Sequence, residues 1–302
     1  MQIKSGSVAI IGRPNAGKST LMNALLGEKL SIVTNKPQTT RKKILGILSS
    51  DQYQIIFLDT PGILNPEYLL QEKMLNYIEV SVRDADIILF ILDIAEDSTG
   101  DRTFNDKSVD RILNKTNQNK ILVINKIDIS NQKIVDDAIK KYSAKNIFDK
   151  IIPVSASLGY NTESVINAIL DYLPEHPKYF PGDELSDANE RFFVSEIIRE
   201  KIFEQFRDEI PYSTEVLIEE FKERTNGKDF IRAIIIVEKE SQKPIIIGDN
   251  GASIKKLGKV ARESVEKFLG KEVFLELFVK VREKWRSNPK HLKNFGYSTE
   301  DE

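Results

Sequence analysis

Gly12-Arg-Pro-Asn-Ala-Gly-Lys-Ser19, followed by Thr20, has the spacing G-x-x-x-x-G-K-S. That pattern turns backbone N–H groups inward around a phosphate, and Gly12, Asn15, Ala16, Gly17 and Thr20 belong to the same cradle. Lys18 would reach the outer phosphates and Ser19 Oγ would ligate Mg²⁺. Farther along, Leu58-Asp59-Thr60-Pro61-Gly62 places a carboxylate that can hold the same ion through water. Gly62 offers an N–H to a γ-phosphate and a pivot once that phosphate is gone. Alone, D-x-P-G is an ordinary turn; its place after a phosphate loop favours the chemical reading. Asn125-Lys126-Ile127-Asp128 selects the base. A carboxylate at 128 accepts from two adjacent donors, which guanine has and adenine lacks, so adenine would leave a buried polar group unpaired. The Lys126 stem can lie on the purine face, and Asn125 can tie this loop to the phosphate loop. In Ser155-Ala156-Ser157 a backbone N–H could read guanine O6, a weak signal carried by its order in the chain.

These residues need strand ends to hold them. Ser7–Ile11, Tyr53–Leu58, Ile87–Asp93, Lys120–Asn125 and Ile151–Ser155 are short, β-branched-rich runs, with helical periods such as Ser19–Leu26 and Val135–Tyr142 between them. Strands apolar on both faces and alternating with helices predict a mostly parallel sheet covered on both sides. Ligands of such sheets bind beyond the carboxyl ends of the strands, where each of the motifs falls.

A second constellation lies beyond Leu173-Pro-Glu-His-Pro-Lys-Tyr-Phe-Pro-Gly182, whose prolines oppose regular structure. Pro244-Ile-Ile-Ile-Gly248-Asp249-Asn250-Gly251 runs into a helix extending to Leu269 that carries Lys255, Lys256, Lys259 and Arg262. A G-x-x-G between an apolar segment and a basic helix is the signature of a KH domain, which clamps the backbone of single-stranded nucleic acid. Glycines at 248 and 251 admit phosphates closely, and the basic side chains supply counter-charge. Asp249 is an unhelpful charge there, so this contact should be weaker than with a lysine. Around it, the spacing predicts a helix over Arg191–Phe206, a hairpin of Ser213–Phe221 and Phe230–Val237 turning at Asn226-Gly227, and a last strand over Lys271–Val281. Trp285 reads as core, and His176 and His291 as surface residues without a metal or acid–base partner.

The ordered set of G-x-x-x-x-G-K-S, D-T-P-G, N-K-x-D and S-A-x resembles a small GTPase-type G domain, and Pro37-Gln-Thr-Thr-Arg41 resembles the bacterial Era family. The resemblance runs on through the KH signature to Gly296-Tyr297. It implies an α/β P-loop GTPase domain, mostly parallel sheet with helices on both faces, over residues 1–176. A linker over 177–189 and a smaller α+β type II KH domain over 190–302 would follow. It also implies Thr40 as the residue sensing Mg²⁺ and γ-phosphate, with Thr39 as the adjacent alternative. Asn15 resembles the asparagine with which related GTPases hold potassium; the other reading is that it shapes the loop. Ile63 stands where Ras-like proteins carry a water-orienting glutamine, so intrinsic hydrolysis should be slow or differently assisted. The family's members are GTPases that monitor assembly of the small (30S) ribosomal subunit and bind the 3′ end of 16S ribosomal RNA. The implied catalytic set is Lys18, Thr40 and Gly62, the metal set Ser19, Thr40 and Asp59, and the implied ligands GTP, GDP and Mg²⁺.

Composition narrows the alternatives. The chain has 302 residues, 44 Lys+Arg against 46 Asp+Glu, two His and no Cys, so disulfides, thiolate zinc and thiol catalysis are excluded. The balance hides a dipolar second half, with 13 acidic against 5 basic residues over 181–223 and 13 basic against 6 acidic over 241–299. No apolar run approaches a membrane span, and the N-terminus reads directly into a strand without room for a signal peptide. The expectation is a cytoplasmic monomer, with the peripheral inner-membrane association that the resemblance implies. Two competing readings are an RNA-binding scaffold that holds nucleotide with little useful turnover, which Ile63 permits, and an ATP-using P-loop enzyme, which Asp128 opposes.

Overall fold

The apolar runs of the first half assemble into one six-stranded sheet in the order β2-β3-β1-β4-β5-β6. The strands are β1 (Lys4–Gly12), β2 (Ile44–Ser49), β3 (Tyr53–Asp59), β4 (Ile87–Asp93), β5 (Asn119–Asn125) and β6 (Lys150–Pro153). All neighbours pair in parallel except β2, which runs antiparallel to β3. The helices are α1 (Lys18–Leu26), α2 (Leu69–Asp84), the single turn α3 (Asp101–Phe104), α4 (Lys107–Asn114), α5 (Gln132–Lys145) and α6 (Thr162–Tyr172). β4 is buried along its whole length, as a central strand covered on both faces must be. The computed structural model describes residues 3–114 and 116–297.

β2 has no counterpart among the strands expected from sequence. It is short, interrupted by Gly46 and lies at the sheet edge, so it has neither the length nor the alternation that marks a strand. The proline-rich stretch after α6 has no regular element, yet it is fastened. The Gln54 side chain, with no exposed surface, accepts from the Tyr179 and Phe180 N–H groups at 2.8 and 3.0 Å and donates to the Phe180 carbonyl at 2.9 Å. Ile47 N–H on β2 donates to the Leu185 carbonyl at 2.8 Å, and Ser186 Oγ donates to the Leu45 carbonyl at 2.5 Å. Residues up to Asp187 therefore group with the sheet. The second compact unit runs from Ala188 and includes Tyr68–Leu70.

That second unit is built as helix, two strands, two helices, strand: α7 (Glu190–Gln205), β7 (Glu215–Lys222), β8 (Asp229–Val237), α8 (Gln242–Ile247), α9 (Ala252–Leu269), β9 (Val273–Val281), then α10 (Pro289–Asn294). β7 and β8 form the expected antiparallel hairpin, and β9 joins β8 in parallel. Val194, Ile198 and Ile202 of α7 meet Leu257, Ala261 and Val265 of α9 over Ile231, Ala233 and Ile235 of β8 in one apolar cluster. Trp285 is wholly buried, and its indole N–H donates to the Ser213 carbonyl at 2.9 Å, so it is packing material. The structure adds α8, a short helix where the sequence shows only Pro and three isoleucines.

Candidate functional site

At the carboxyl end of the first sheet, β1 passes into the Gly12–Ser19 loop, which turns straight into α1. Gly17 sits there at φ +97°, and a Cβ on it would lie 2.2 Å from Asn125 Nδ2, so only glycine lets the loop approach β5. Asn125, at the end of β5, donates to the Ala16 carbonyl at 2.9 Å and accepts from the Ala156 N–H at 3.0 Å. One buried amide thus holds three loops that are far apart along the chain. Because the Ala156 N–H serves Asn125, it is already engaged within the protein.

A cavity of about 420 Å³ opens here. Of the residues singled out from sequence, Asn15, Gly17, Lys18, Ser19, Thr20, Thr39, Thr40, Gly62, Asn125, Lys126, Asp128 and Ser157 line it. Gly12, Ala16, Asp59, Ser155 and Ala156 stand behind that wall. Lys18 Nζ donates to the Arg13 and Gly12 carbonyls at 2.9 and 3.3 Å. Burial lowers its pKa from 10.5 to about 8, with the Asp59 carboxylate opposing the shift. Asp59 is fully buried, and burial pushes its carboxyl up, partly offset by the Ser19 hydroxyl and the Lys18 ammonium.

Ser19 Oγ donates to Asp59 Oδ2 at 2.7 Å and lies 2.9 Å from Thr40 Oγ1. Asp59 Oδ1 is buried with no hydrogen-bond partner. Two hydroxyls beside a buried, incompletely satisfied carboxylate form an all-oxygen donor set, which fits a hard divalent cation. Thr39 also lines the cavity, but its hydroxyl is engaged within its own loop, 2.7 Å from Thr34 Oγ1 and donating to the Lys36 carbonyl at 2.8 Å. Thr40 is therefore the threonine brought to Ser19. Asn15 Nδ2 donates to the Asn35 carbonyl at 3.1 Å, joining the phosphate loop to the segment that carries Thr40. Ile63 is 2% exposed, its side chain in the apolar cluster with Ile78 and Ile94 and its N–H donating to the Gly12 carbonyl.

Three residues in and around this site have no role in the sequence reading, although Arg13 and Gln38 lie inside quoted motifs. Gln38 holds a left-handed backbone (φ +59°) at the cavity wall and accepts from Gln71 Nε2 at 3.4 Å. Arg13 pairs with Asp106 at 3.3 Å. Asp93, at the end of β4, pairs with Lys126. Only pairing of distant segments creates these contacts; an Asp closing a buried strand is the one local signal.

In the second unit Gly248 and Gly251 both have positive φ (+72° and +78°), and Asp249–Gly251 forms a single 3₁₀ turn between α8 and α9. Gln205 Nε2, at the end of α7, donates to the Ser253 carbonyl and hydroxyl at 3.0 and 3.1 Å and fixes the start of α9. Asp249, Asn250, Lys255, Lys256 and Lys259 are exposed. Arg262 differs: its Nη1 donates to both carboxylate oxygens of Glu266 at 2.8 and 3.0 Å. Of the four basic residues singled out on this helix, three are therefore exposed and the fourth, Arg262, is already engaged.

Residues 7–126 match the family described as 50S ribosome-binding GTPase, and residues 209–286 match the KH domain family. The GTPase Era of Clostridium kluyveri is 46% identical over 297 residues, 98% of this chain and 99% of its own length. That of Alkaliphilus metalliredigens is 44% identical over 299 residues, 98% and 100% of the two chains. Among solved structures, a single-substitution variant of Aquifex aeolicus Era bound to GDP·AlF4⁻ is 40% identical, with a TM-score of 0.91 over 98% of this chain and 100% of that one. An Era in complex with MgGDPNP and nucleotides 1506–1542 of 16S ribosomal RNA is 41% identical, with a TM-score of 0.92 and the same coverage. The mostly parallel sheet with its phosphate loop is a P-loop GTPase domain, the second unit is a KH domain, and the chain belongs to the Era family of GTPases.

Proposed function

We propose that this GTPase is a nucleotide-controlled switch that binds the 3′ end of 16S ribosomal RNA and couples its GTP state to assembly of the 30S subunit. The observation that carries the reading is the contact of Thr40 with Ser19, itself bonded to Asp59, which supports taking the switch segment as part of one cation-binding oxygen set. Loss of the γ-phosphate would release that segment.

In this reading Lys18 and the backbone of Gly12–Ser19, with Thr20, hold the phosphates. Ser19, Thr40 and Asp59 hold Mg²⁺, which when bound neutralises charge on the β- and γ-phosphate oxygens. Gly62 donates its N–H to the γ-phosphate. Asp128 accepts from guanine N1–H and the 2-amino group, Lys126 covers the ring, and Asn125 holds the Ser155–Ser157 loop beside the base. With the Ala156 N–H already used, Ser157 is the nearer source of a donor to O6. Gly248–Gly251 clamps the RNA backbone and Lys255, Lys256, Lys259 and Arg262 offset its charge.

The test is binding of a labelled RNA matching the 3′ end of 16S ribosomal RNA to protein loaded with GDPNP or with GDP. Tighter binding in the GDPNP form is expected; equal binding in both sinks the coupling. Ile63, buried in the core, favours a second reading in which turnover is too slow to matter. Single-turnover hydrolysis separates the two. Potassium held by the Asn15 side-chain oxygen beside the Asn35 carbonyl belongs to the same proposal, so exchange of potassium for sodium should slow that reaction. No helix among the described residues is long and apolar enough to cross a membrane. A cytoplasmic monomer with peripheral attachment to the inner membrane face completes the proposal, checked by sedimentation of the protein alone and with anionic vesicles.

A further inference from the structure

Asp93 has no place in the motifs that carry phosphate, cation or base chemistry. It closes β4 in register with Asn125 on β5, the residue that precedes Lys126. Its side chain is 8% exposed. One carboxylate oxygen, Oδ1, accepts from the N–H groups of Ala95 and Glu96, each at 3.1 Å, so the group is fixed to its own turn. The other, Oδ2, lies 2.5 Å from Lys126 Nζ. Lys126 itself has a left-handed backbone (φ +65°) and lines the cavity.

A lysine stem is flexible, and its freedom is lost when a ligand is packed against it. A buried carboxylate held by two backbone donors removes that freedom beforehand. We propose that Asp93 is a positioning residue for the nucleotide base: by tethering the Lys126 ammonium it holds the aliphatic stem at the cavity wall. This inference rests on the reading of that cavity as a guanine-nucleotide site. Asp93 acts through Lys126 and touches no ligand itself.

The experiment measures release of a fluorescent GDP from the full chain in four forms: wild type, Asp93→Asn, Lys126→Met and the double variant. Asparagine keeps an oxygen for Ala95 and Glu96 and loses only the charge. Release should be about tenfold faster in Asp93→Asn, the size of one lost charge-assisted contact. It should be similarly faster in Lys126→Met and no faster in the double variant, because both changes cut one connection. Thermal unfolding of each form runs beside it. A merely structural role would move the melting temperature and let the two effects on release multiply. Wild-type release from Asp93→Asn, or about a hundredfold acceleration in the double variant, overturns the assignment while the nucleotide reading stands. A wild-type protein that retains no GDP overturns both.

Discussion

The nucleotide site and the G-x-x-G site solve opposite problems. At the first, polar groups are buried and bonded to one another: Asn125 joins three loops, Ser19 joins Asp59 to Thr40, and Lys18 is only 6% exposed. At the second, the two glycines flank one exposed turn, and Lys255, Lys256 and Lys259 project from a single helix into solvent. Small anionic groups of fixed shape reward a rigid, desolvated cradle in which each contact is strong. A long polyanion is gathered by many weak, screened attractions. The difference implies that single substitutions are severe at one site and graded at the other.

The harshest test is Lys18→Ala. GTP hydrolysis should fall by about 10²–10³-fold, the cost of losing one pre-positioned charge donor. Gly17→Ala should join it, because the new methyl would displace Asn125 and open all three loops at once. A loss no larger than that from one α9 lysine would erase the distinction between the sites.

Next comes the triple change Lys255→Ala, Lys256→Ala, Lys259→Ala. RNA affinity should drop by about one to two orders of magnitude, and the slope of log affinity against log salt should shrink by about 2, at ~0.7 per phosphate neutralised on a single strand. The melting temperature should stay near wild type, since exposed side chains are being removed. An unchanged salt slope would move the RNA interface elsewhere.

A pH series tests the nucleotide site through the burial of Lys18. Lys18 has a pKa lowered from 10.5 to about 8 in the folded protein, so its ammonium is lost as pH rises through 8. GDP affinity should then fall by up to about tenfold per pH unit above 8, because phosphate binds the protonated form. The nucleotide-free protein should move the other way. Between pH 8 and 10.5 the unfolded chain binds more protons at this position, so stability from Lys18 rises with pH. At low pH the raised pKa of Asp59 works against cation binding. The smallest effect belongs to Arg262→Ala, whose guanidinium is engaged by Glu266: about 0.5 kcal/mol of stability and less than about threefold in RNA affinity. A larger RNA effect would mean that Arg262 leaves Glu266 for phosphate.

Sequence reading succeeds where a function demands a residue type at a fixed spacing along one stretch of chain. Gly17, Lys18 and Ser19 are legible in this way, as are Asn125 and Asp128. So is the alternation of Val273, Leu275 and Leu277 that places β9 face-down on the helices. What it misses is created by pairing. Asp93 becomes relevant only when β4 meets β5, and Gln38 only when it meets Gln71. The choice of Thr40 over Thr39 depends on which hydroxyl the loop turns toward Ser19, and neighbouring identical residues carry no such information. Arg262 looks like its lysine neighbours because its partner, one helical turn on, is a routine i,i+4 glutamate.

The segment that follows the proline-rich stretch and lies along β2 bears on the protein's behaviour in a crowded cell. An edge strand exposes a row of unpaired N–H and C=O groups that another chain can join, and such pairing propagates into aggregates. Here the Ile47 N–H and the Leu45 carbonyl are taken by the Leu185 carbonyl and the Ser186 hydroxyl. The segment leading toward the KH domain thus shields a sticky seam of the GTPase domain, and a cut that frees residues 177–187 would leave that seam open to foreign strands.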